Sequence, residues 1–217
     1  CLEDYAYLLE ALVTLYETSL QSEWITKANL LADAMIEEFW DEEEGGFFIR
    51  GKSEEQLVSK LKNPADEAMP SANAIASIAL LKLGRLTGNK IYKEKSQETV
   101  KSFQAFIEDS PAAFTGLLAT LSASILSPTE AIFAGPKESA EFDEMWKVLH
   151  TDYRPNKVII WNENGESTLP LAEGKTSSES TMYLCHKGTC HPPVNTSKAL
   201  DRLLERPQEI RLNIFDE

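Results

Sequence analysis

The chain has 217 residues, 42% of them apolar and 26% charged, with a formal net charge of −14. A chain of this length buries roughly 70% of the surface it exposes when unfolded, so it can build a sizeable core as one large domain or two small ones. Its acidity argues against nucleic acid, whose phosphates call for Lys and Arg, and against an anionic membrane surface.

The sequence opens at Cys1, already inside a helical pattern and without an initiator Met, and we expect a piece of a longer protein. Read with the 3.6-residue period, the first 126 residues give five helices. The first runs from about Leu2 to Thr18, with Tyr5, Leu8, Leu12 and Leu15 on one stripe. The second runs from about Glu23 to Phe39 and carries Trp24, Ala28, Leu31, Met35 and Phe39. Between them and the third lies "DEEEGGFFIRG", whose paired glycines and aromatic or β-branched residues predict a short β-hairpin. The third helix starts at Pro70 or Ser71 and ends near Leu86, the fourth spans about Lys90 to Ile107, and the fifth about Pro111 to Leu126. Pro70 and Pro111 suit a first helical turn, where the missing N–H costs nothing.

Charge is spread unevenly over these helices. The third carries only Lys82 before its end and the fifth carries none, whereas the second and fourth are laced with Lys and Glu. Odd helices therefore read as buried all round and even ones as amphipathic, in two concentric layers. A shift of 68 residues supports this, laying Leu15 on Leu83, Trp24 on Tyr92 and Met35 on Phe103. An inner helix followed by an outer helix, repeated, fits a closed α/α toroid or an open solenoid. We expect residues 1–128 to be the toroid portion, mainly α, and 129–217 a small α/β unit. In the second part, the β-type runs "EAIFAG", "KVIIW" and "STMYLC" alternate with helical "ESAEFDEMWKVLH" and "TSKALDRLLER". The polar stretch "NENGESTLPLAEGKTSSES" reads as a loop. No apolar run reaches the roughly 18 residues of a membrane span, and no signal segment opens the chain.

Five motifs carry a resemblance: "LEDYA" (Leu2–Ala6), "WDEEEGGFF" (Trp40–Phe48), "DEAMPSAN" (Asp66–Asn73), "RPNKV" (Arg154–Val158) and "CHKGTCHPPV" (Cys185–Val194). Taken in order, they make the chain resemble the C-terminal part of the YyaL-type family of thioredoxin-domain-containing proteins, related to a human spermatogenesis-associated protein. The resemblance implies a thioredoxin-like domain elsewhere in the parent chain and a six-hairpin α/α toroid of the kind found in glycosidases and sugar epimerases. The family's redox cysteines belong to that other domain, so Cys1, Cys185 and Cys190 do not inherit their role. Toroids of this kind carry His or Glu pairs in the ring, whereas none of the three His here falls in the five helices.

The candidate site lies where the third helix begins. Asp66, Ser71 and Asn73 gather at a helix N-terminus, which offers unpaired N–H groups and partial positive charge. Asp66 or Ser71 can equally be a helix cap. Asp4 and Tyr5 open the first helix, and the repeat offset places Tyr5 opposite Asn73. Asp4 with Asp66 would be a carboxylate pair for acid–base work on a glycosidic bond, and Asp4 can equally serve the helix dipole. Phe47 and Phe48, beside Trp40, are candidate stacking platforms for a sugar ring, or simply core. Asp41 to Glu44 read as a solvated turn.

Cys185, His186, Cys190 and His191 fall within seven residues, leaving zinc, a redox or disulfide pair, and two buried thiols as open readings. With only three Cys, no disulfide framework is expected and a reducing cytoplasm is the default setting. His150 reads as a partner of its helix's C-terminal dipole. There is no Walker loop, GxGxxG, GxSxG or HExxH, so we expect no bound cofactor and no metal. Two functions remain open: a toroid that binds or processes a small molecule such as a sugar, or a non-catalytic scaffold serving the thioredoxin-like domain.

Overall fold

In a computed structural model, the structure describes residues 1–53, 60–151 and 153–204. It divides into two compact units, Cys1–Ser124 and a second from Ile125 onward.

The first unit is helical. Helix α1 (Leu2–Ser19) ends at Leu20, which takes the left-handed conformation and returns its N–H to Tyr16 O. Helix α2 (Ser22–Phe39) then runs back along α1, burying Ile25, Ala28, Ala32, Met35 and Phe39. Helix α3 (Ala72–Thr87) packs against α1 on one side and α4 (Lys90–Ser102) on the other. Most of α3 is buried, as its sequence predicts, and Gly88 closes it at φ 72°. Its one charge before the last turn, Lys82, lies 3.8 Å from Glu10 and 3.9 Å from Glu17 of α1. On the outer side, the Tyr92 hydroxyl of α4 donates to Asp33 Oδ1 of α2 at 2.7 Å.

The fourth expected helix breaks at Phe103 (φ −107°, ψ 12°), leaving α5 (Gln104–Asp109) as a separate piece. The break lets Phe103 join Ala74, Val100, Ile107, Phe114 and Leu117 in one buried cluster. The fifth also divides, into a 3-10 turn at Pro111–Ala113 and helix α6 (Thr115–Ile125). Instead of strands, the glycine-rich excursion forms one antiparallel bridge, Trp40 to Phe47.

In the second unit, β1 (Thr129–Ala134) leads through α7 (Ala140–Thr151) to β2 (Lys157–Asn162), which pairs parallel with β1. The long polar stretch follows, and β3 (Thr181–His186) pairs antiparallel with the other edge of β1. β4 (Thr189–Cys190) completes the order β2-β1-β3-β4, and α8 (Ser197–Leu204) packs against α7. The remainder of the expected last helix, at 205 and 206, lies outside the described residues. The central position of β1 explains its almost continuous burial. Phe133 of β1 meets Phe142 and Trp146 of α7 at ring-centroid distances of 4.5 and 5.9 Å. Asn162 anchors the polar stretch, donating to Ala172 O and Lys175 O and accepting from Ser167 N.

The fold class expected from sequence, mainly α and part of a six-hairpin toroid, is corrected by this architecture. Helices share the chain with a four-stranded mixed sheet, and the described helices of the first unit form two adjoining hairpins rather than a ring. The fifth helix shows why the layered reading failed. Its lack of charge read as burial on all sides, yet α6 buries only Leu117 and Thr120 and leaves Leu121 and Ile125 exposed. The small α/β unit is consistent with the sheet and helices observed.

Candidate functional site

Ser71 is the N-cap of α3: its Oγ accepts the Ala74 N–H at 3.2 Å. Just upstream, Asp66 uses both carboxylate oxygens. Oδ1 accepts the Ser71 N–H at 2.9 Å, and Oδ2 accepts the Gly116 N–H at 2.7 Å and the Thr115 hydroxyl at 2.9 Å. One side chain thus satisfies donors at the starts of both α3 and α6, where helices leave N–H groups unpaired. A Cβ on Gly116 would lie 2.7 Å from Ala74 Cβ, so glycine is what lets α6 approach. Deeper in the same contact, Ser77 Oγ and Thr120 Oγ1 are 2.9 Å apart, both residues fully buried.

Asn73 is fully buried and faces Phe47. Its Oδ1 accepts the Phe47 N–H at 2.8 Å and its Nδ2 donates to Phe47 O at 3.0 Å, so the amide acts as a strand neighbour would. Phe47 is itself fully buried, edge-on to Trp40 at 4.9 Å. Phe48 is half-buried, with Lys60 and Lys62 about its ring at 5.2 and 5.1 Å. Tyr5 is half-buried and packs edge-on against Phe39 at 5.0 Å. Asp4 belongs to the first turn of α1 with its side chain 78% exposed, and its Oδ2 accepts from the Cys1 thiol.

Ser71 and Asn73 do share a cleft with the start of α1. It has a volume of about 250 Å³ and is lined by Leu2, Glu3, Ile49, Glu67, Met69 and Pro70 besides these two. Tyr7 stands nearby, its hydroxyl donating to Pro70 O at 2.8 Å. Burial first, then the negative charges of Glu3 and Asp66, push its pKa up. Asp66 and Asp4 are not among the residues that line the cleft, whereas Glu3 and Glu67 are.

Sequence reasoning missed the pairing of Asp41. Expected in a solvated turn, it is 8% exposed, with Oδ2 2.5 Å from Lys62 Nζ and Oδ1 accepting the Glu43 N–H. Burial pushes its pKa up, but the Lys62 and backbone hydrogen bonds outweigh it, and the net shift is downward. Nothing within a few residues of Asp41 signals a lysine 21 positions on.

In the second unit, Cys185 and Cys190 are joined in a disulfide, so neither sulfur is a thiolate ligand. Among the described residues, no group of three or more His, Cys, Asp or Glu is placed to hold a metal. No described helix is long and apolar enough to cross a membrane.

No family model matches the chain. Its sequence is similar to spermatogenesis-associated protein 20 of Homo sapiens, 30% identical over 214 residues that cover 94% of this chain and 27% of that protein. The Mus musculus protein of the same name is 29% identical over 213 residues, with the same coverage. An uncharacterised protein of Caenorhabditis elegans is 26% identical over 211 residues, 94% of this chain and 28% of its own length. The chain therefore spans about a quarter of the length of the curated relatives it matches, and the similarity runs along nearly all of the chain.

Proposed function

We propose that this chain is a region of a larger protein of the spermatogenesis-associated protein 20 family and serves there as a non-catalytic binding scaffold. On this reading the cleft at the start of α3 receives a small polar ligand, with a sugar the first class to try, and the scaffold works beside a thioredoxin-like domain of the parent in the cytoplasm. The observation that supports it is the carboxylate of Asp66. Acid–base work on a glycosidic bond needs two carboxyl groups directed at substrate. Asp66 instead accepts three hydrogen bonds from the protein.

The test is thermal unfolding of the full-length protein against a panel of sugars, run alongside assays for hydrolysis and epimerisation. A ligand present at 100 times its dissociation constant adds about 2.7 kcal/mol. The scaffold reading expects a ligand-dependent shift that Glu67→Gln weakens, with no turnover. Turnover of any sugar that Asp66→Asn abolishes, while the variant still unfolds cooperatively, sinks this reading in favour of an enzyme.

A further inference from the structure

The hairpin of β3 and β4 turns through Lys187 and Gly188, both at positive φ (50° and 73°). Two consecutive left-handed residues make the turn whose twist matches the strands it joins. The turn sets the register, with His186 opposite Thr189 and Cys185 opposite Cys190. The two joined cysteines are not equivalent: Cys185 is 2% exposed and lies within the sheet, whereas Cys190 is exposed on the edge strand. Nor does the hairpin need the bond to keep them opposite each other. The His191 N–H donates to Leu184 O at 2.9 Å, and Met182 and Val194 exchange two backbone bonds at 2.7 and 2.9 Å. The disulfide thus links neighbours that turn and ladder already hold, one of them an exposed residue of the edge strand.

We propose that Cys185–Cys190 is a reversible thiol–disulfide exchange site for a dithiol reductant, attacked at Cys190. A thiolate of the reductant attacks Cys190 Sγ, the Cys185–Cys190 bond breaks, and Cys185 leaves as a thiolate that takes up a proton. The product is a mixed disulfide between the reductant and Cys190. The reductant's second thiolate then attacks its own bound sulfur and expels the Cys190 thiolate. The protein disulfide is reduced by two electrons and the dithiol is oxidised to a disulfide. The geometry selects a dithiol. Turn and ladder keep the Cys185 thiolate opposite the mixed disulfide, where it expels a monothiol and restores the original bond. Only a second thiol already tethered to the reductant competes with that return. The proposal concerns the second unit and stands apart from the cleft reading.

The experiment uses the native full-length protein carrying Cys1→Ser, which removes the third thiol of this region. It is incubated with dithiothreitol, reduced glutathione or a thioredoxin-type protein dithiol, quenched by alkylation, and read at the Cys185 and Cys190 peptides by mass. Either dithiol should reduce the bond while the fold persists, with glutathione at equal thiol concentration slower by at least about tenfold. Reduction by dithiothreitol alone assigns a small-molecule dithiol, and reduction by thioredoxin at substoichiometric concentration assigns a protein dithiol. With oxidised glutathione, Cys185→Ser should acquire glutathione on Cys190, whereas Cys190→Ser leaves Cys185 unmodified. The proposal is overturned if the bond resists both dithiols until urea unfolds the protein, or if glutathione matches dithiothreitol. It is overturned too if the cysteines purify as thiols that oxidised dithiothreitol fails to join. The wild-type cysteine pair decides the main result, so a variant that does not fold leaves the test intact.

Discussion

Asp66 and Gly116 meet where two helices begin: the Gly116 N–H donates to Asp66 Oδ2 at 2.7 Å, and a Cβ on Gly116 would stand 3.1 Å from Asp66 Oδ1 and 2.7 Å from Ala74 Cβ. The carboxylate and the missing side chain solve one problem together, letting α6 start close to α3 with the Gly116 N–H and the Thr115 hydroxyl satisfied. Hydrogen bonds to a charged acceptor contribute about 1.5–3 kcal/mol each and do not add simply. Asp66→Ala should therefore lower stability by about 2–4 kcal/mol, and Asp66→Asn by less, because an amide oxygen still accepts. Gly116→Ala should cost about 1–3 kcal/mol through overpacking against Ala74. Urea unfolding of the single and double variants checks this, with a sub-additive double variant expected because the two sites touch.

Asn73 supports a different segment. Removing its amide orphans the backbone N–H and C=O of Phe47, a residue with no exposure to water. An unsatisfied buried polar group costs about 1–3 kcal/mol. Asn73→Ala should lower stability by about 2–4 kcal/mol on that scale, and the fluorescence of Trp40, edge-on to Phe47, should change with it. A variant as stable as wild type, with unchanged emission, would show that the amide does not hold the Trp40–Phe47 bridge.

These two residues mark how much of the site was legible in the sequence. The cap at Ser71 is local: a polar residue one step before an apolar helix, bonding three positions on, is visible in the order of residues alone. The partner of Asn73 lies 26 positions away and those of Asp66 at the start of α6 about 50 away, and nothing periodic links them. Helix existence was legible in α1, α2 and α3, although α1 buries Leu9, Val13 and Tyr16 and leaves Leu8 and Leu15 of the expected stripe exposed. The break at Phe103 was not legible. That ring turns into a cluster assembled from α3, α4, α5 and α6, which local spacing does not encode. The layered toroid reading took a charge-free helix for a buried one, but burial depends on neighbours, and α6 exposes Leu121 and Ile125. The cysteine spacing left three readings open. What brings Cys185 and Cys190 opposite each other is the positive φ of Lys187 and Gly188, a backbone fact the Lys-Gly pair signals only faintly.

Asp41 and Lys62 give the first unit an acid-sensitive contact. The folded pKa of Asp41 is held below the ordinary carboxylate range, so the fold favours the ionised form. The sign follows from linkage: the contribution is fully present above the unfolded pKa and disappears as pH falls through the folded one. Lys62→Met leaves a carboxylate of 11% side-chain exposure without its cation. Breaking a buried pair from one side costs about 3–5 kcal/mol, and the slight exposure here places the expected loss near the lower end. Urea midpoints from neutral pH down to acid should show the gap between wild type and Lys62→Met closing as Asp41 protonates. A gap that stays constant with pH would mean that Lys62 acts through its hydrogen bond to Gly45 O and its packing on Phe48, and not through Asp41.

His150 is the corresponding group of the second unit, and here the helix-dipole expectation meets an opposing force. Its Nδ1 lies 2.9 Å from Trp146 O and its ring packs on Trp146 at a centroid distance of 4.4 Å. Burial pushes its pKa down, the hydrogen bond to Trp146 O pulls it back up, the Lys157 charge lowers it further, and the net shift is downward. A lowered folded pKa means that the neutral ring is preferred in the fold. Stability is therefore complete above the unfolded histidine value and declines as pH falls below it toward the folded one. An NMR titration of the imidazole should give a midpoint below that of an unfolded peptide. Trp146→Ala should raise it by re-exposing the ring, even though the variant keeps the backbone acceptor, and Lys157→Met should raise it by less. A midpoint above the peptide value in wild type would show that the C-terminal dipole of α7 outweighs burial, and would reverse the predicted pH dependence of this unit.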